Sequence, residues 1–205
     1  MANSKYVSLW LAGACVLAFV LQISLSGFTE ALLLDSSSWF QPWRFISSIF
    51  LHGSLSHLIF NMFALILFGL ILESVIGSKK FILVYFASGI VANLIAVNFY
   101  ASSLGASGAI YGILGCLTIL RPRMTVWVYS LPMPMFIAAI VWIGIGVMGI
   151  FFPSNVGDIA HLSGIVVGFL FGLYFRNRFL EVGERKVRVV LDEGGMRNWE
   201  NRWVR

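Results

Sequence analysis

The sequence predicts an all-α membrane protein, a bundle of six transmembrane helices, on three observations. Hydrophobic residues make up 59% of the 205-residue chain and charged residues 11%, against about 45–50% and about 25% in an ordinary soluble domain. The apolar residues gather into six stretches that are free of charge or nearly so, of the roughly 17–25 residues that carry a helix across about 30 Å of hydrocarbon, or close to it. Nearly all the lysines and arginines fall in alternate segments between those stretches. A soluble globule is excluded, and so is disorder, which needs low hydrophobicity and high net charge. The net charge of +5 is spread along the chain; it is read against a bilayer surface, and no nucleic-acid partner is expected.

The first stretch, 7–28, carries no charge. It is too long for the apolar part of a signal peptide and lacks a clear small-x-small cleavage site, so it reads as a retained helix. The second, 56–76, holds only Glu73, near its far end. The third, 81–100, is uncharged, and the fourth, 105–120, is uncharged but short, giving a helix of about 24 Å. In the fifth, 125–152, Pro132 and Pro134 place the start of the helix near Met135. The sixth, 158–175, opens on Asp158. With the N-terminus inside, Lys5, Lys79, Lys80, Arg121 and Arg123 lie on the cytoplasmic side, with Arg176, Arg178, Arg185, Lys186, Arg188, Arg197, Arg202 and Arg205 of the tail; only Arg44 lies outside. That asymmetry predicts a multi-pass protein of the cell membrane with both termini cytoplasmic. Residues 1–175 form the six-helix domain and 176–205 a basic cytoplasmic tail that clings weakly to anionic headgroups. Cys15 and Cys116 sit inside apolar runs and read as small buried hydrophobes rather than a disulfide.

Polar groups inside a membrane are costly, so each is a functional candidate. They cluster at the outer ends of three helices. Helix two opens on His52, His57 and Asn61, with the last two on one face at four-residue spacing; helix four opens on Gly105-Ala-Ser107-Gly108; helix six opens on Asp158-Ile-Ala-His161. At about 1.5 Å per residue, Ser107, His161 and Asn61 lie roughly 3, 5 and 8 Å below those ends, in one layer. The short fourth helix implies a preceding loop that dips into the membrane, which irregular backbone does only where protein or water surrounds it. Gly108, Gly112 and Gly115 below Ser107, and Gly164, Gly168 and Gly172 below His161, form small-residue ridges that let two helices approach closely. A serine hydroxyl needs an adjacent base to act as nucleophile, and histidine supplies one near neutral pH. Asp158, the one carboxylate at this depth, reads as a helix cap rather than a third member, so a Ser107–His161 dyad is expected. The helix N-terminus at Ser107 offers free N–H groups to an oxyanion, with His57, Asn61 and Gly105 beside it.

These residues resemble the rhomboid family of intramembrane serine proteases: Trp43-Arg44 in the first loop, His52 with His57 and Asn61, Gly105-Ala-Ser107-Gly108, and Ala160-His161 with Gly164 and Gly168. The resemblance implies Ser107 as nucleophile, His161 as base, His57 with Asn61 near the oxyanion, and Tyr111 packed against the catalytic histidine. It also implies a first loop partly in the outer leaflet and transmembrane protein substrates, single-span chains cut near their outer boundary. No metal or cofactor is called for, and the chain looks like a bare six-helix core, without a further cytosolic domain or seventh helix. Two alternatives stand beside it. A three-histidine metal site or transporter would use His52, His57 and His161, but helix two has no His-Glu-x-x-His and the lower half of the path lacks carboxylates. A catalytically dead relative would bind membrane proteins without cutting them, against which stands the presence of both Ser107 and His161.

Overall fold

Long charge-free runs leave the backbone only itself to bond with, and a helix satisfies every interior N–H and C=O within one segment. The computed structural model, which describes residues 6–128, 130–152 and 157–190 and side chains as far as Asn177, has a helix in each of the six runs. They are α1 (Val7–Ser24), α2 (Leu55–Ile76), α3 (Ser78–Ala96), α4 (Ser107–Leu120), α5 (Met135–Phe151) and α6 (Asp158–Val190). Helices α1, α2, α3 and the Asp158–Asn177 part of α6 are long and apolar enough to cross a membrane; α4 and α5 are apolar but shorter, at 14 and 17 residues. Lys5, Arg197, Arg202 and Arg205 lie outside the described residues, and Arg178, Arg185, Lys186 and Arg188 are described only as helix backbone.

Several boundaries differ from the sequence expectation, while the start of α5 at Met135 agrees with it. Helix α1 stops at Ser24, and the chain turns through Gly27 into a short helix, Phe28–Leu32. Helix α3 starts three residues early because Gly77, at φ 82 and ψ 157, makes the turn that only glycine makes without strain. The apolar run before Met135 is a hairpin: β3 (Thr125–Val128) pairs antiparallel with β4 (Leu131–Pro134), setting Pro132 opposite Trp127 and Pro134 opposite Thr125. Both strands of a lone ribbon are edges, which is where prolines are tolerated. Helix α6 continues to Val190, so residue 176 lies inside a helix.

Another small ribbon, β1 (Leu34–Asp35) with β2 (Ser102–Ser103), ties the first loop to the segment that leads into α4. Helix α4 is the central post: from Gly108 to Thr118 every residue but Tyr111 is buried. It meets α6 backbone to backbone. A methyl group added at Gly164 would overlap the Gly108 carbonyl oxygen, one at Gly168 that of Gly112, and one at Gly115 that of Ile165. The glycine ridges expected from spacing therefore do bring the two helices into close contact.

At the far end of the molecule, Glu73 is fully buried and its carboxylate accepts from the Val7 and Ser8 N–H groups, the Ser8 hydroxyl and the Ser78 hydroxyl. Its negative charge thus sits at the N-terminus of α1, where free N–H groups and the helix dipole favour an anion.

Candidate active site

Ser107 is the first residue of α4 and His161 lies in the first turn of α6. The glycine contact below them fixes their separation: His161 Nε2 and Ser107 Oγ share a hydrogen bond of 2.8 Å. Tyr111, one turn below Ser107, stacks flat on the His161 ring, with centroids 4.3 Å apart and planes 4° from parallel. That contact sets the plane of the imidazole, leaving Nε2 directed at the serine. Asp158 does not stand behind the histidine. Its carboxylate packs against Gly149 of α5, where any side chain on that glycine would strike it. The start of α6 is held instead by Tyr100, whose hydroxyl accepts the Ile159 N–H at 3.0 Å.

Helix α2 begins at an orthodox N-cap, with the Ser54 hydroxyl accepting the His57 N–H. The His57 ring then lies beside Gly105, where a methyl group would come within 2.8 Å of Cε1 and 3.1 Å of Nε2. Gly105 has φ +131, in the region open to glycine. Both conformation and space therefore require glycine between His57 and Ser107. Asn61 is buried, and its amide donates to the His57 carbonyl at 2.9 Å; a primary amide has a second N–H. His52 packs edge-on against His57 with centroids 5.1 Å apart. Its Nδ1–H donates to the Phe50 carbonyl, and its Nε2 is buried without a partner among the described residues. Among the described residues no group of three His, Cys, Asp or Glu side chains is placed to hold a metal.

Several supporting residues were not singled out from the sequence. Asn93 of α3 donates to the Phe45 carbonyl at 2.9 Å and to Ser48 Oγ at 3.0 Å, and the Ser48 carbonyl accepts the Gly105 N–H at 2.9 Å. The chain of bonds runs from a buried amide to the glycine beside Ser107. Gln22 of α1 clamps the His52 backbone, accepting its N–H and donating to its carbonyl. Both are amides inside apolar runs, and the cost of burying such groups in lipid is the signal that could have found them. Within the first loop, buried Arg44 bonds the Leu33 carbonyl, Gln41 and Asp35, the last at 3.0 Å. The Ser37 hydroxyl on Asp35, with Arg44 beside it, holds that carboxyl below the usual range. Trp39, Phe40 and Trp43 of the same loop are largely exposed, as aromatic residues are at a membrane–water interface.

A model of the rhomboid domain matches residues 40–178, the stretch that carries His52, His57, Asn61, Gly105, Ser107, Tyr111 and His161. The chain belongs to the rhomboid family. It is 28% identical over 183 residues to the rhomboid protease GlpG of Haemophilus influenzae, spanning 84% of this chain and 92% of that one. It is 34% identical over 137 residues to the putative rhomboid protease YdcA of Bacillus subtilis, spanning 62% of this chain and 64% of the relative. It is 30% identical over 156 residues to the mitochondrial rhomboid protein 1 of Saccharomyces cerevisiae, 70% of this chain and 44% of that one. This rhomboid is a serine protease and a multi-pass membrane protein.

Proposed function

We propose that this rhomboid is an endopeptidase that cleaves single-span membrane proteins near the outer boundary of the membrane, with Ser107 as nucleophile and His161 as general base. The observation that carries the assignment is the 2.8 Å bond between His161 Nε2 and Ser107 Oγ. His161 Nε2 takes the hydroxyl proton as Oγ attacks the scissile carbonyl carbon. The oxyanion that forms lies against the unpaired N–H groups of the first turn of α4, with His57, Asn61 and the Gly105 segment around it. Nε2 then returns the proton to the amide nitrogen as the C–N bond breaks, leaving an acyl group on Ser107. Water, deprotonated by the same nitrogen, releases that group and restores the hydroxyl. The imidazolium of this cycle has no carboxylate partner among the described residues; its orientation comes from the Tyr111 stack.

In the same reading the chain crosses the cell membrane six times with both termini cytoplasmic, and the tail from residue 176 lies on the inner face. The split of basic residues supports it. The test is cleavage of a single-span reporter by purified protein in lipid vesicles. Ser107→Ala and His161→Ala should each abolish cleavage while keeping the unfolding temperature, and the double variant should be no slower than either, because the two residues act as one unit. A fluorophosphonate should label the parent chain and not Ser107→Ala. Substantial cleavage by Ser107→Ala would remove the assignment.

A further inference from the structure

An open cavity lies at the opposite end of α4 from Ser107, about 20 Å away along the helix. It has a volume of about 720 Å³. Ile71 and Val75 of α2, with Leu120 and Met124, are its apolar lining, and Ser74, Pro122 and the exposed Arg121 and Arg123 line it beside them. Neither arginine has an ion-pair partner among the described residues, where the one salt bridge is Arg44 with Asp35. Glu73, the acidic residue of α2, is consumed by the N–H and hydroxyl groups of Val7, Ser8 and Ser78. The site therefore presents two uncompensated guanidinium groups beside an apolar wall.

Two features fix what fits there. The apolar wall does not end at Ile71: Phe63 and Leu67, one and two turns back on the same face of α2, are 65% and 42% exposed. That stripe prolongs the cavity along the apolar flank of the bundle, as an acyl chain requires. On the hairpin that follows the arginines, Val126 and Val128 are buried and Trp127, between them, is 72% exposed. An outward Trp beside arginines marks headgroup depth.

We propose that this cavity is a binding site for one anionic glycerophospholipid, with its phosphate between Arg121 and Arg123 and an acyl chain along Ile71, Leu67 and Phe63. Guanidinium groups pair with phosphate oxygens by bidentate hydrogen bonds, and a second negative charge in the headgroup takes the remaining donors. The site is separate from the serine and histidine and does not depend on the proteolytic reading.

The experiment is native mass spectrometry of the purified chain with phosphatidylglycerol or phosphatidylcholine, alongside unfolding temperatures in the two lipids. The parent chain should retain phosphatidylglycerol and be stabilised by it over phosphatidylcholine, whereas inorganic phosphate should do neither. At roughly 1 kcal/mol for each basic residue at a membrane surface, Arg121→Gln with Arg123→Gln should weaken retention about 30-fold. The variant's unfolding temperature in phosphatidylcholine checks its fold. A charge-matched control, Lys79→Gln with Arg176→Gln, should keep retention within a few-fold. Leu67→Asn, which leaves both arginines in place, should also lower retention. Equal retention of phosphatidylcholine, equal stabilisation by inorganic phosphate, or an equal loss in the control would each overturn the proposal.

Discussion

His57 and Asn61 pose a question of magnitude. Removing one oxyanion donor typically costs about 10²–10³ in turnover, roughly 2.7–4 kcal/mol, whereas a hydrogen bond between helices in a membrane protein averages about 0.6 kcal/mol. Asn61 makes a bond within its own helix, to the His57 carbonyl, and that bond alone predicts a small structural effect. Its second N–H and the His57 ring beside Gly105 predict the large kinetic one. For Asn61→Ala and His57→Ala, the expected result is a fall of at least 10²-fold in turnover, with the unfolding temperature nearly kept and Ser107 still open to a fluorophosphonate. A fall no greater than the loss of folded protein would make the pair structural. A second residue-scale expectation concerns acid. Asp35 has a lowered carboxyl pKa in the folded chain, first through the Ser37 hydroxyl and with help from Arg44. Its contribution to stability is therefore full above the ordinary carboxyl value of 3.8 and is lost as pH falls through the lower folded value. Melting curves between pH 6 and pH 2 should show a loss at the acid end that Asp35→Asn lacks, and an unchanged acid slope in that variant would show that the loop does not depend on this ionisation.

For the helices, the decisive contact is α4 against α6. At Gly168 an added methyl group would overlap the Gly112 carbonyl oxygen, which cannot move without its helix. At Gly144 of α5 nothing lies within 4 Å of the same added atom. Gly168→Ala should therefore cost about 1–3 kcal/mol by overpacking and slow proteolysis by separating His161 from Ser107. Gly144→Ala should be neutral or stabilising by up to about 1 kcal/mol, the ordinary helix preference for alanine. Thermal unfolding of the two variants beside a cleavage assay checks both; equal tolerance would mean the helices slide past the obstruction. Asn93 acts between elements in the same way, joining α3 through Ser48 to the backbone of Gly105.

At the scale of the whole molecule, orientation decides which side of the membrane the serine serves. Ser36 in the first loop and Lys79 at the start of α3 are both exposed, and Cys15 and Cys116 are fully buried, so the parent background is silent. With both termini cytoplasmic, Ser36→Cys should react with an impermeant maleimide in intact cells and Lys79→Cys only after lysis. The reverse pattern would put the active site on the inner face.

The sequence alone determined the helical runs, the start of α5 behind Pro134, and the pairing of Ser107 with His161. These follow from local quantities: an uncharged run must form a helix in lipid, and glycines at four-residue spacing let two helices come close below the residues they carry. What it left open lies where the deciding contact is distant in the chain. The run 125–134, left outside the helix that starts at Met135, folds as a hairpin with Val126 and Val128 in the core. Asp158 is not expected to partner His161, but that its carboxylate packs against Gly149 is a choice made by how α5 leans on α6. Asn93 and Gln22 were not singled out from the sequence, and their partners, Ser48 and the His52 backbone, are 45 and 30 residues away. Only the tertiary structure could supply those partners, because a side-chain hydrogen bond is settled by which distant backbone reaches it, and hydrophobic periodicity carries no record of that.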